Sequence, residues 1–139
     1  MSNAASTRLH PETGAPLTRG TRKLTLSYKS QRETVDMPGW YPEGDPSAES
    51  GIHDPHDLQA SDRAINRMKA REAGLMTPEE VRQVRRKLGL TQREAGRIIG
   101  GGPNAFQKYE AGDVLLSKPA DTALRLLANN PDRLSELTR

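Results

Sequence analysis

Asn104, Gln107 and Lys108 stand at positions i, i+3 and i+4 of the stretch G100-G-G-P-N-A-F-Q-K-Y-E-A-G112. A helix through this stretch turns all three toward one side. Their chemistry is that of groups that read a base edge. Side-chain amides pair in a fork with adenine, a lysine ammonium donates to guanine or to a phosphate, and a small residue such as Ala105 can touch a thymine methyl. Phe106 and Tyr109 point the other way, as the core side of the same helix. Glu110 would either oppose a basic neighbour or repel phosphate, so it is left out of the contact set. At the start of the preceding helix, Gln92 and Arg93 are placed for sugar–phosphate contacts, with Arg97 one turn on. A helix N-terminus itself favours an anion there.

The glycine run raises a second chemistry, a loop that cradles phosphate. It lacks the GxxxxGK[ST] pattern and follows a short helix instead of a strand, so neither a P-loop nor a dinucleotide fingerprint fits. Nucleotide binding is not expected.

The elements that must position these residues are well marked. T77-P-E-E80 sets Thr77 as a helix cap, Pro78 at the first helical position and Glu80 to complete a capping box. Val81, Val84 and Leu88 follow at helical spacing until Gly89. T91-Q-R-E94 repeats the box, and Ala95, Ile98 and Ile99 give the next helix its buried side. Pro103 suits the first position of a third helix, which Gly112 closes. A fourth helix is expected from about Pro119 through Leu124 and Leu127, and a fifth from Pro131 with Leu134 and Leu137. Two helices, 91–99 and 103–111, joined by a glycine turn, make a helix-turn-helix.

Upstream the texture differs. Residues 1–22 are polar and turn-rich and read as a flexible segment. K23-L-T-L-S-Y-K29 alternates, with Leu24, Leu26 and Tyr28 on one face, as a half-buried strand. R32-E-T-V-D-M-P38 is a weaker second strand with Val35 and Met37 inward, stopped by Pro38. Ser30-Gln31 between them is not a preferred tight-turn pair. Residues 38–57 hold four prolines and three glycines and read as a loop, and a helix with Ala60, Ala64, Ile65 and Met68 inward runs to about Arg71, ended by Gly74. The expected organisation is a flexible segment (1–22), a small β domain (23–56), a connecting helix (57–75) and a helical domain (76–139).

Charge is uneven along the chain. Pro38 to Asp57 carries five acidic side chains and no Lys or Arg, whereas Arg63 to Arg97 carries ten Lys or Arg against four Glu. A basic block of this kind favours a polyanionic partner. There is no cysteine, which excludes disulfides, thiolate zinc sites, iron–sulfur clusters and cysteine nucleophiles. The three histidines, His10, His53 and His56, lie in the turn-rich half with no Ser or acid tied to them in a catalytic arrangement, so no enzyme is expected. No apolar run is long enough to span a bilayer, and a soluble cytoplasmic protein is the expectation.

The stretch L88-G-L-T-Q-R-E-A-G-R-I-I-G-G-G-P-N-A-F-Q-K-Y-E-A-G112 resembles the DNA-binding domain of the MqsA (YgiT-type) antitoxin family, a branch of the Xre/Cro-like helix-turn-helix proteins. The resemblance extends to Lys29, V35-D-M-P-G-W-Y41 and S61-D-R-A-I-N66. It implies an α+β chain: a C-terminal five-helix Xre/Cro-like domain and a small N-terminal β-hairpin or sheet domain. It implies a homodimer, formed largely by the C-terminal domains, that reads a palindromic double-stranded operator and represses its own operon. It also implies that the N-terminal domain neutralises a small RelE-like mRNA-cleaving toxin. Asn104 matches a base-reading Asn, and Lys108 a base-reading position usually held by Arg.

Members of that family commonly hold the N-terminal domain with a zinc ion bound by paired CxxC motifs. Here the corresponding stretches are H10-P-E-T13 and W40-Y-P-E-G-D45, both without cysteine. His10, Glu12, His53 and His56 are candidates for a mixed-ligand site, but Asp54-Pro55 breaks the geometry between the last two and His10 is distant in sequence. No metal or other cofactor is expected, and the zinc-less domain should be weakly stable when free. The alternative function is a stand-alone or mobile-element regulator without a toxin partner. A helical module that binds protein instead of DNA is a further reading.

Overall fold

The structure, a computed structural model, describes residues 7–138. It divides into two compact units. One holds the chain up to Tyr28 with Arg32–Ile65, and the other holds Lys29–Gln31 with Asn66 onward.

The first unit is built on a three-stranded sheet in the order β1 (Thr7–Leu9), β2 (Pro16–Tyr28), β3 (Gln31–Pro42). The alternation expected from Lys23 is present, with Leu24, Leu26 and Tyr28 half-buried between exposed neighbours. The strand starts earlier, at Pro16, because β1 pairs antiparallel with its first residues, Leu9 opposite Pro16 and Thr7 opposite Thr18. The turn-rich reading of 1–22 therefore holds, among its described residues, only for the bend between β1 and β2. The β2–β3 turn is Lys29-Ser30, one residue earlier than expected, and Lys29 takes the left-handed backbone, φ 51°. Thr25 and Thr34 hydroxyls bond across the pair at 2.8 Å, and Lys23 reaches Asp36 at 2.7 Å.

Pro38 does not stop β3, which runs on to Pro42. Proline lacks an N–H, but β3 is an edge strand, where a missing outer donor is tolerated. Beyond it the returning chain pairs with that edge: Trp40 and Ile52 exchange backbone hydrogen bonds of 2.8 and 2.9 Å. Met37 and Tyr41 are buried on the inner face with Leu17 from β2.

A long helix, α1 (Leu58–Ala73), crosses the boundary between units. The second unit continues with α2 (Pro78–Lys87), α3 (Gln92–Ile99), α4 (Ala105–Ala111) and α5 (Lys118–Asn129). Both expected capping boxes form. Thr77 N–H donates to Glu80 Oε1 at 2.8 Å and Thr91 N–H to Glu94 Oε1 at 2.8 Å, with the reciprocal bonds present. Ser117 caps α5 through Ala120 N–H. The segment expected as a fifth helix of the domain, Pro131–Glu136, is a 3-10 helix. Met76, Val81, Ala95, Phe106, Leu116, Ala120 and Leu124 form one core, with Val84, Leu90, Ile99 and Tyr109 packed on it. A buried carboxylate closes the unit: Asp121 accepts from Met76 N–H and Arg125 Nε, each at 2.9 Å. Burial pushes this carboxyl up, but the Arg125 and Met76 bonds outweigh it and the pKa is lowered.

Candidate nucleic-acid interface

Two features of the backbone set the angle between α3 and α4. Gly100, Gly101 and Gly102 all take positive φ, at 125°, 96° and 92°. Three successive residues in this region are accessible only to glycine without strain. The turn also folds back on α3, so that Gly100 N–H and Gly102 N–H both donate to the Gly96 carbonyl, at 3.1 and 3.2 Å. A Cβ on Gly96 would lie 1.9 Å from the Gly102 oxygen, so this position admits no side chain.

The turn carries the chain past Pro103, and α4 begins at Ala105 with Asn104 as its N-cap. Pro103 is thus outside the helix, not at its first position. The reason is the third left-handed glycine, which aims the chain so that helical geometry starts only after Asn104. Asn104 makes no capping bond with its side chain, so its amide is not consumed locally.

Asn104, Gln107 and Lys108 are exposed, and among the described residues their side chains make no hydrogen bond or ion pair. Ala105 is half-buried, packed on the core beneath them. Phe106 is fully buried and meets Tyr109 edge-on, ring centroids 5.3 Å apart. Arg93 and Arg97 on α3 are exposed. Gln92 is half-buried instead, and its amide donates to Glu110 Oε1 at 3.1 Å.

Glu110, which spacing alone leaves outside the contact set, is the residue that ties this site together. It is 5% exposed, and Arg85 grips it with a fork, Nε to Oε2 at 2.6 Å and Nη2 to Oε1 at 2.9 Å. Arg82 adds a longer contact at 3.4 Å, and Arg85 Nη1 also donates to Leu90 O. Burial raises this carboxyl's pKa, but the bonds from Arg85 and Gln92 reverse the shift and leave it below the ordinary value. The pair holds α2, α3 and α4 together and neutralises the one acid on α4. A signal was present: Glu110 is four residues after Phe106, on the same buried face, and a carboxylate there requires a cation.

This arrangement is that of a helix-turn-helix protein of the Xre/Cro type. The chain belongs to the MqsA antitoxin family: the family described as the antitoxin component of a bacterial toxin–antitoxin system, MqsA, matches residues 11–138. It is also similar to the Antitoxin MqsA of Escherichia coli (strain K12), 39% identical over 83 residues, which covers 57% of this chain and 63% of that protein. The alignment thus spans less than two thirds of that relative's length.

No helix among the described residues is long and apolar enough to cross a membrane.

Proposed function

We propose that this chain binds double-stranded operator DNA as a homodimer, with α4 entering the major groove, and represses its own toxin–antitoxin operon in the cytoplasm. Asn104, Gln107 and Lys108 read base edges, Ala105 lies against a thymine methyl, and Arg93 and Arg97 hold phosphates. Gln92 serves mainly to orient the helix pair through Glu110. The observation that carries this reading is the outward trio of Asn104, Gln107 and Lys108 at the start of α4, exposed and, among the described residues, without partners, beside the glycine turn. Family membership supports the second half of the proposal, that the chain neutralises a small RelE-like mRNA-cleaving toxin.

A gel-shift assay on the chain's own upstream region tests the DNA reading. The variant Asn104→Ala with Lys108→Ala should lose at least roughly tenfold in affinity for the specific site, since each good base contact is worth about 1–3 kcal/mol. Its thermal transition should stay near wild type, because neither side chain makes an internal bond. Protection of the same site by the double variant overturns the assignment of α4. Absence of the family's cysteines favours a second reading, a regulator with no toxin. Failure of the chain to relieve growth arrest by a toxin encoded next to it would select that reading.

A further inference from the structure

The stretches that stand where the family carries its zinc ligands are filled by other chemistry. At H10-P-E-T13 the turn closes on itself. His10 Nδ1 accepts from Glu12 N–H at 3.0 Å and Thr13 N–H at 3.3 Å, while His10 N–H donates to Ala15 O at 2.8 Å. The ring nitrogen nearest the bend is therefore already taken by backbone donors. At the second stretch Trp40 presents an aromatic ring, with the guanidinium carbons of Arg8 and Arg19 at 5.3 and 5.2 Å from its centroid. Its indole N–H donates to Asp54 Oδ2 at 3.1 Å.

Both carboxylates near this ring are committed to cations. Arg19 forks onto Asp57 with two bonds of 2.9 Å, and Asp57, 3% exposed, also accepts Asp54 N–H at 2.8 Å. Asp54 lies 3.7 Å from both Arg8 and Arg19. Next to it Arg22 sits 4.5 Å over the Tyr41 ring and donates to Pro42 O at 2.7 Å and Ser47 O at 2.9 Å. Among the described residues no three His, Asp or Glu side chains converge as a metal-binding group. A donor set of this kind, with guanidinium groups at its centre and no thiolate, does not fit a zinc ion.

We propose that the N-terminal unit is a metal-independent fold, in which the cluster of Arg8, Arg19, Trp40, Asp54 and Asp57 does the cross-linking that an ion does in thiolate-bearing relatives. The cluster draws on β1, β2, β3 and the segment returning from β3, so one set of contacts ties every strand to the segment that bridges the β3 edge. Cation–aromatic contact and a forked arginine–carboxylate pair are directional enough for this role. Whatever this unit binds, its integrity does not depend on zinc supply or on thiol oxidation.

Trp40 is the only tryptophan in the chain and lies inside the cluster, so its emission reports on this unit alone. Full-length protein from zinc-supplemented cells is assayed for metal content, and its Trp40-detected melting is recorded with and without EDTA and with and without a thiol oxidant. The expected result is no stoichiometric zinc and an unmoved transition under all conditions. Asp57→Asn and Arg19→Lys should each lower that transition. Arg8→Met, at a more exposed edge of the cluster, should lower it less and keeps the test open if Asp57→Asn does not fold. Stoichiometric zinc with an EDTA-sensitive transition overturns the proposal, as do Arg19→Lys and Arg8→Met variants that melt like wild type. Operator binding is read separately by gel shift, so failure here is distinct from failure of the DNA reading.

Discussion

At the scale of single residues, the exposed face of α4 depends on a residue that lies beneath it. Glu110 is held by Arg85 and Gln92 beneath the exposed trio, and it fixes α4 against α2 and α3. Glu110→Gln keeps the shape but leaves the Arg85 guanidinium without its anion, and breaking a buried pair in this way costs about 2–4 kcal/mol. The expected outcome is a lower thermal midpoint by circular dichroism, with weaker operator binding as a consequence. The outward residues were legible from spacing alone, because helical periodicity assigns faces whatever the partner. The fate of Gln92 was not, since its amide is drawn inward by a carboxylate 18 positions away. If Lys108 reads a base as proposed, it does so without the planar fork of arginine, and exchange to Arg should sharpen preference for guanine in a gel-shift series.

At the scale of elements, helix starts were the most legible feature. Thr77 and Thr91 each lead a capping box, and such boxes are decided within four residues. Element ends governed by tertiary surroundings were harder to read. Pro38 signals a stop only if its missing donor matters, and on an edge strand it does not. Pro103 signals a helix start only if the preceding turn delivers the chain in helical geometry, and after three left-handed glycines the helix starts two residues later, at Ala105. The same turn gives a sharp prediction. Gly96→Ala places a methyl against the Gly102 carbonyl, so α3 and the turn must separate, at about 2 kcal/mol or more. Gly20→Ala, where an added Cβ meets nothing within 4 Å, is the control and should melt like wild type. Loss of operator affinity should accompany the first substitution and not the second.

At the scale of the whole molecule, the two units are stabilised by different means. The helical unit rests on an apolar core with two buried acids paired to arginines. The sheet unit has few large buried side chains, and its arginine cluster gives it an acid-sensitive pair of its own. Asp57 has its pKa lowered from 3.8 to about 2, chiefly by the Arg19 hydrogen bond, against burial and aided by Asp54 N–H and the nearby His53. A lowered folded-state value means that the stabilisation is complete above the unfolded pKa and fades as pH falls from about 4 through about 2. Arg19 is about one-third exposed, so the effect is at most about 2 kcal/mol. Trp40-detected melting should therefore drop over this window, and Asp57→Asn should flatten the dependence. A midpoint that holds steady down to about pH 2 would remove Asp57 from the account.

Pro38 and the Trp40–Ile52 bridge have one more effect, on how copies of the chain behave in a crowded solution. An uncovered strand edge is a template on which other chains can stack. Here one edge of the sheet lacks a donor at Pro38 and is occupied by its own returning segment at Trp40. Self-stacking along this margin is therefore interrupted midway.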